Sequence, residues 1–242
     1  MFRHQGKSRT KKHNLQIATV LSLVAGIVNV TGFLSIQQLT TNVTGHFAQF
    51  IYDVDRLEFW QGTIFLIYIA SFLAGSFSSA LLIELFRFNK KMNVYLIPIL
   101  IESLILISIV LLYDFYGINY YNLIACMLLF SMGLQNSFVT KISNAVVRTT
   151  HLTGLFTDMG IELSHLIFKK DKIARKEIKA VINLRIYIIL FFFLGGMIGG
   201  FCYSKLNMNF YTLIIAAAIL ILSLIYDDIK YTKRSKFKKN NF

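Results

Sequence analysis

Long apolar runs alternate along this chain with short polar or basic stretches. Six runs reach the roughly 20 residues that a helix needs to cross a bilayer core. They are Leu15–Ile36, Phe59–Phe86, Val94–Tyr113, Tyr120–Val139, Val181–Tyr203 and Asn209–Tyr226. In hydrocarbon every backbone N–H and C=O must be bonded within its own segment, so continuous runs of this length predict helices rather than barrel strands. Two stretches are neither spans nor plain loops. Thr40–Val54 follows the first run and Ile142–Phe168 follows the fourth. Each holds a Thr-Gly step, Thr44-Gly45 and Thr153-Gly154, ahead of a short apolar-leaning segment. This pattern predicts a break followed by a short re-entrant or interfacial helix.

Charge fixes the orientation. With the N-terminus inside, all but Arg56 and Lys205 of the 25 Lys and Arg residues fall on the cytoplasmic side, as the positive-inside rule requires. Both termini are expected in the cytoplasm.

The same landmarks then appear twice in the same order. Gly26-x-x-Asn29 closes the first run and Gly133-x-x-Asn136 closes the fourth. The two Thr-Gly steps follow. Phe72–Ser79 parallels Phe193–Gly200, and Leu111–Phe115 parallels Leu224–Asp228. Three spans per unit is an odd number, so the second unit must be inverted. The expected organisation is a basic tail (1–14), a first three-span unit (15–115), an inverted second unit (119–228) and a second basic tail (229–242). The fold class is an all-α membrane protein of six spans, each unit carrying one short broken helix. Inverted units with broken helices are a common build of secondary transporters, with the site where the units meet.

Composition agrees. The chain is 55% hydrophobic and 15% charged, with mean hydropathy +0.59, whereas soluble domains are about 25% charged. The net charge of +13 lies between runs and in the tails rather than on a basic face, so nucleic acid is excluded as a partner. Cys126 and Cys202 sit inside apolar runs and read as small core residues. The basic N-terminal stretch precedes a run too long for a signal sequence and reads as a retained tail. No hydrolase, phosphate-loop or metal-spaced motif is present. No cofactor, metal or catalytic residue is expected.

Candidate chemistry gathers at the breaks. Thr is a fair N-cap, Gly permits a break in helical dihedrals, and a helix N-terminus offers free N–H groups to an anion. Asn29, Asn42, Thr44, Gly45, Asn136, Thr149, Thr150, His151, Thr153 and Gly154 are therefore candidate solute-binding residues. Arg148 is a candidate partner for an anionic solute, against the plainer role of a headgroup anchor. Otherwise the Thr-Gly steps simply cap helices and turn the chain. Glu102 lies about 12 Å into the third run at 1.5 Å per residue, where a carboxylate is costly. Asp158 and Glu162 share a helical face with His165. These three acids are the proton-coupling candidates, with Glu102 and Asp158 meeting in one cavity. Pro98 is expected to bend the third span, and Glu84 to pair with Arg87. The small residues Ala74, Gly75, Ser78 and Ser79, with Gly195, Gly196, Gly199 and Gly200, are expected to let helices pack closely, with spans two and five crossing.

The opening Gly-x-x-Asn, Gly32-Phe33 and Asn42-x-Thr-Gly, the "GLQN" at 133–136 and the "VRTTHLTGLFTDMG" at 147–160 resemble the YoaK family of bacterial six-span membrane proteins, a family of unknown function. The resemblance covers nearly the whole chain. It implies a bacterial inner-membrane protein and brings no biochemical activity with it. It also implies that relatives often carry Asp where this chain has Asn29, so a titrating role at that position does not carry over.

The functional expectation is a small-solute transporter, proton-coupled, whose partners are the bilayer and a small, anionic solute. Two alternatives stand beside it. One is a membrane-embedded enzyme or lipid-handling protein using the same polar centre. The other is a channel, which needs a continuous pore or a homo-oligomer.

Overall fold

The computed structural model describes residues 2, 9–86, 94–168 and 171–239, with the side chains of 118 and 231–239 excepted. Arg87, Lys90, Lys91, Lys169, Lys170 and most of the N-terminal tail lie outside the described residues.

Among the described residues eight α-helices follow one another: α1 (Lys11–Ile36), α2 (Val43–Asp55), α3 (Phe59–Phe86), α4 (Leu96–Tyr116), α5 (Tyr121–Ser143), α6 (Leu152–Phe168), α7 (Lys172–Ser204) and α8 (Thr212–Lys239). Single 3₁₀ turns precede α5 and α8. Six of these helices are long and apolar enough to cross a membrane. The expected runs match them, but α7 starts nine residues before its apolar run, at Lys172. Asp171 sets that start by accepting from the Ile173 and Ala174 amides at 3.3 and 3.1 Å. Such a cap outweighs the polarity of the first two turns. Thr10 and His13 close a reciprocal capping box at the start of α1.

Pro98 does not bend α4. It is the third residue of the helix, where the missing N–H would have no intrahelical partner anyway.

The helices interlock across the chain. α1 packs along α7 and α3 packs along α5, while α4 packs on α8. α2 touches α3 alone among the helices, and α6 touches α7 alone. Spans two and five do not cross, so they are not where the units could slide: α3 and α7 make no contact. Their small residues instead face α5 and α1. A Cβ on Gly75 would overlap the Phe130 carbonyl, and one on Gly195 the Leu23 carbonyl. In the reverse direction, a Cβ on Gly133 would overlap the Phe72 carbonyl, and one on Gly26 the Phe192 carbonyl. Backbones this close exclude side chains, the reason small residues mark such seams.

Buried positions on α3 and α7 also run in parallel, one residue away from the expected Phe72–Phe193 match. Gly62, Tyr68, Gly75 and Ser79 are buried on α3, and Ile182, Ile188, Gly195 and Gly199 on α7, at a constant offset of 120. At that offset Phe72 falls against Phe192 rather than Phe193. Ser79 and Gly199 join the glycines in the seam, whereas Ala74 is exposed. On α4 and α8 the buried residues include Pro98, Ile99, Glu102, Ser103, Leu106 and Val110 against Thr212, Leu213, Ala216, Ala217, Leu220 and Leu224. Their offset is 114, again one residue from the Leu111–Leu224 match.

Candidate functional site

Asn29 stands on α1 seven residues before its end at Ile36, and Asn136 stands on α5 seven residues before its end at Ser143. Each is thus about 10 Å back from the helix end at 1.5 Å per residue. α1 ends at Gln37 in the left-handed region (φ 57°), and α5 ends at Asn144 in the same region (φ 53°). The chain then turns back along the helix it has just left. Thr41 Oγ1 donates to Asn29 Oδ1 at 3.0 Å and Thr40 Oγ1 to the same atom at 3.4 Å. Thr150 Oγ1 donates to Asn136 Oδ1 at 2.8 Å and Thr149 Oγ1 at 3.5 Å. The two breaks are pinned by the same chemistry. Thr40 and Thr149 are fully buried.

The short helices begin at these pins. Asn42, not Thr44, caps α2: its Oδ1 accepts from the Gly45 amide at 3.0 Å and from Thr44 Oγ1 at 2.9 Å. His151 takes the corresponding place before α6, its ring lying over Gly154 as the Asn42 amide lies over Gly45. Neither glycine has a positive φ. They are glycine because the preceding side chain folds over them, not because the backbone breaks there. Thr44 and Thr153 are exposed in the first turn of each helix, and so is Arg148 in the loop before α6.

The Asn136 cluster has a further member. Gln135 is fully buried. Its Nε2 donates to the Leu21 carbonyl at 3.0 Å and to Thr149 Oγ1 at 3.2 Å, which ties α5 to α1 and to the inner loop. In both clusters the described bonds to Asn29 and Asn136 engage Oδ1, so each side chain keeps an Nδ2 with two hydrogens to donate. Neutral amides and hydroxyls of this kind exchange hydrogen bonds with a polar solute.

The helices that follow are held differently. The buried His46 of α2 meets Phe65 and Tyr68 of α3, with ring centroids at 6.0 and 5.3 Å. Tyr68 donates to Asn122 Oδ1 at 2.6 Å. Arg185 of α7 clamps α6. Its Nε and Nη2 reach Glu162 at 3.0 and 2.8 Å, and Nη1 reaches Asp158 at 2.6 Å. This accounts for two of the three acids singled out as proton-coupling candidates. Glu102 lies on α4, which does not touch α6, so Glu102 and Asp158 do not come together. Glu84 pairs with Lys141 at 3.7 Å.

Sequence reasoning passed over Gln135, Thr40, Thr41, His46 and Arg185. Gln135 and Thr41 adjoin residues it chose, and Thr40 lies two residues before one. Arg185 was visible as a cation inside a span, opposite an acidic pair spaced i, i+4 on the preceding helix. Apart from all of these, an open apolar groove runs along the outer part of α8 between Leu206 and Leu222. It contains none of the expected site residues. Among the described residues no group of His, Cys, Asp or Glu is placed to hold a metal.

No solved structure matches the chain. It is 26% identical over 216 residues to the UPF0700 transmembrane protein YoaK of Bacillus subtilis (strain 168), covering 85% of this chain and 89% of that protein. The family described as "Protein of unknown function (DUF1275)" matches residues 17–226, with both Asn–Thr clusters and all six spans inside or overlapping that range. This multi-pass membrane protein belongs to the DUF1275 family.

Proposed function

We propose that this protein is a small-solute transporter of a bacterial inner membrane, with both termini cytoplasmic, built from two three-span units of opposite orientation. The observation that carries the reading is the matched pair of Asn–Thr clusters. Asn29 with Thr40 and Thr41, and Asn136 with Thr149 and Thr150, each fold a loop about two helical turns back along its helix. Each then launches a short helix that packs on a single neighbour. An inverted pair of such elements gives one polar station facing each side of the membrane, the arrangement alternating access uses. Buried hydroxyls on the same helices support this: Ser22, Thr31 and Ser35 of α1 and Ser131 of α5 have no hydrogen-bond partner among the described residues. Unpartnered polar groups in a bundle core are costly unless a polar visitor uses them.

The test is a thermal-shift screen of the purified protein against small carboxylates, inorganic anions and neutral polar metabolites. Any compound that raises the Tm is then followed by counterflow in liposomes. Asn29→Ala and Asn136→Ala are each expected to abolish counterflow. A bound compound whose effect survives both substitutions removes the reading.

A further inference from the structure

One buried acid belongs to neither cluster. Glu102 lies six residues past the start of α4 at Leu96, roughly 9 Å along the helix. It is fully buried, and neither carboxyl oxygen has a hydrogen-bond partner among the described residues. The elements packed on α4 are α8, α5, α3 and the two 3₁₀ turns. Among the described residues, several of their charged and titratable groups have partners elsewhere, Lys230 over the Tyr226 ring and Tyr120 against Tyr116 among them. Lys141 of α5 pairs with Glu84 of α3, Tyr68 of α3 bonds Asn122, Tyr211 bonds Asp114, and Asp227 of α8 accepts the Phe2 amide. The position that corresponds to Glu102 on α8 is the fully buried Ala216, so this site occurs once per chain.

An ionised carboxylate with no partner, inside a bundle surrounded by hydrocarbon, is far costlier than the same group carrying its proton. The neighbouring helix α5 offers the complementary atom. Gln135 Oε1 is also buried and unpartnered. Gln135 lies eight residues from the inner end of α5 at Ser143, roughly 12 Å, a depth close to that of Glu102. A protonated carboxyl is a donor seeking an acceptor, and an amide carbonyl is an acceptor seeking a donor. Through Nε2 the same Gln135 already holds Thr149, and Thr149 bonds Asn136. Gln135 thus lies on a helix packed against that of Glu102 and is itself part of the inner cluster.

We propose that Glu102 is the proton-binding site of this protein, and that Gln135 connects it to the inner Asn136–Thr149–Thr150 cluster so that proton release and solute binding are linked. The link rests on the transporter reading; the proton site does not. At rest the carboxyl carries a proton. Its release leaves a carboxylate, which must be met by water or by a solute group admitted at the inner cluster.

The test is infrared spectroscopy of the intact protein in lipid, as the difference between wild type and Glu102→Gln. The expected result is the C=O stretch of a protonated carboxyl at neutral pH. The band shifts in deuterium oxide and is lost as pH is raised. Should Glu102→Gln fail to fold, Glu102→Asp displaces the band instead of removing it. A carboxylate signature at neutral pH, or a band unchanged up to alkaline pH, overturns the proposal. Gln135→Leu should leave the band in place and alter the pH at which it is lost; an unaltered pH breaks the proposed connection. Solute counterflow without the band would remove the proton site and keep transport. The band without counterflow would do the reverse.

Discussion

The Thr41 hydroxyl donates to the Asn29 side chain at 3.0 Å, across a turn that reverses the chain. That bond and the weaker one from Thr40 fix how deep the outer loop reaches. Asn29→Ala removes the acceptor for both hydroxyls, one of them on the fully buried Thr40. It should cost about 1–3 kcal/mol, the usual penalty for orphaning a buried donor. Asn29→Asp keeps an oxygen in the same place and should hold the loop, with thermal stability near that of wild type. Melting of the two variants in detergent distinguishes them. Equal losses would mean that the Asn29 acceptor does not hold the loop.

Much of this was legible in the sequence. The six spans followed from run length, because hydrocarbon leaves the backbone no alternative to helix. The breaks at Thr44-Gly45 and Thr153-Gly154 showed as paired polar steps, and both fall in the first turn of a short helix. What stayed hidden was which side chain bonds which. Thr40 and Thr41 look like ordinary loop residues until the chain folds back on Asn29. Gly45 suggests a backbone break, yet its role is to make room for Asn42. Glu102 and Asp158 look alike as acids in or beside apolar runs. Only packing shows that one is clamped by Arg185 while the other is buried without a partner. The one-residue offset between Phe72 and its counterpart was likewise invisible, because Phe192 and Phe193 are the same residue type.

The glycine seams should respond in a set order. Ala at Gly26, Gly75, Gly133 or Gly195 places a Cβ on a neighbouring main-chain carbonyl, and backbone cannot move aside as a side chain can. These four variants should lose folded protein in size-exclusion profiles. Gly45→Ala meets only the Asn42 side chain and should cost about 1 kcal/mol, the worth of the displaced cap. Gly160 has open space around its Cβ position within α6, so Gly160→Ala should gain about 1 kcal/mol from helix propensity. A well-folded Gly75→Ala would show that α3 and α5 do not approach as closely as described.

The Arg185 clamp predicts unequal effects at its two acids. Glu162 takes two of the three bonds and is 18% exposed, against 50% for Asp158. Glu162→Gln should destabilise more than Asp158→Asn, for which an exposed pair is worth about 0.2–1 kcal/mol. Arg185→Met should exceed both, because it leaves two carboxylates facing each other one helical turn apart. Raising salt should weaken the Asp158 effect first, since exposed pairs are screened most. Proteolysis between α6 and α7 is a direct readout of how firmly α6 is held. Equal sensitivity of all three variants would mean that the clamp does not hold it.

Orientation is testable at the C-terminal end. A single cysteine at Ser235, in a background of Cys126→Ser and Cys202→Ala, should resist a membrane-impermeant thiol reagent in intact cells and react after permeabilisation. Arg56→Cys, on the opposite side by the charge distribution, should label in intact cells. The reverse pattern would place both Asn–Thr clusters on the opposite faces and invert the proposed sidedness.

The outer helix carries a pH dependence whose sign can be worked out. Burial lowers the pKa of His46 below its usual 6.5, and the bond to the Leu39 carbonyl at 3.0 Å opposes this only in part. The folded protein therefore favours neutral imidazole packed between Phe65 and Tyr68. In the unfolded chain the same ring takes a proton near pH 6.5. Above that pH neither state is protonated and the packing contributes in full. As pH falls through 6.5 the unfolded state binds the proton first, so stability drops and goes on dropping until the folded pKa is reached. The Tm of wild type should fall between about pH 7 and pH 5 more steeply than that of His46→Phe, which keeps an aromatic ring and cannot titrate. Parallel curves for the two proteins across that range would show that His46 contributes nothing to the acid sensitivity of the fold.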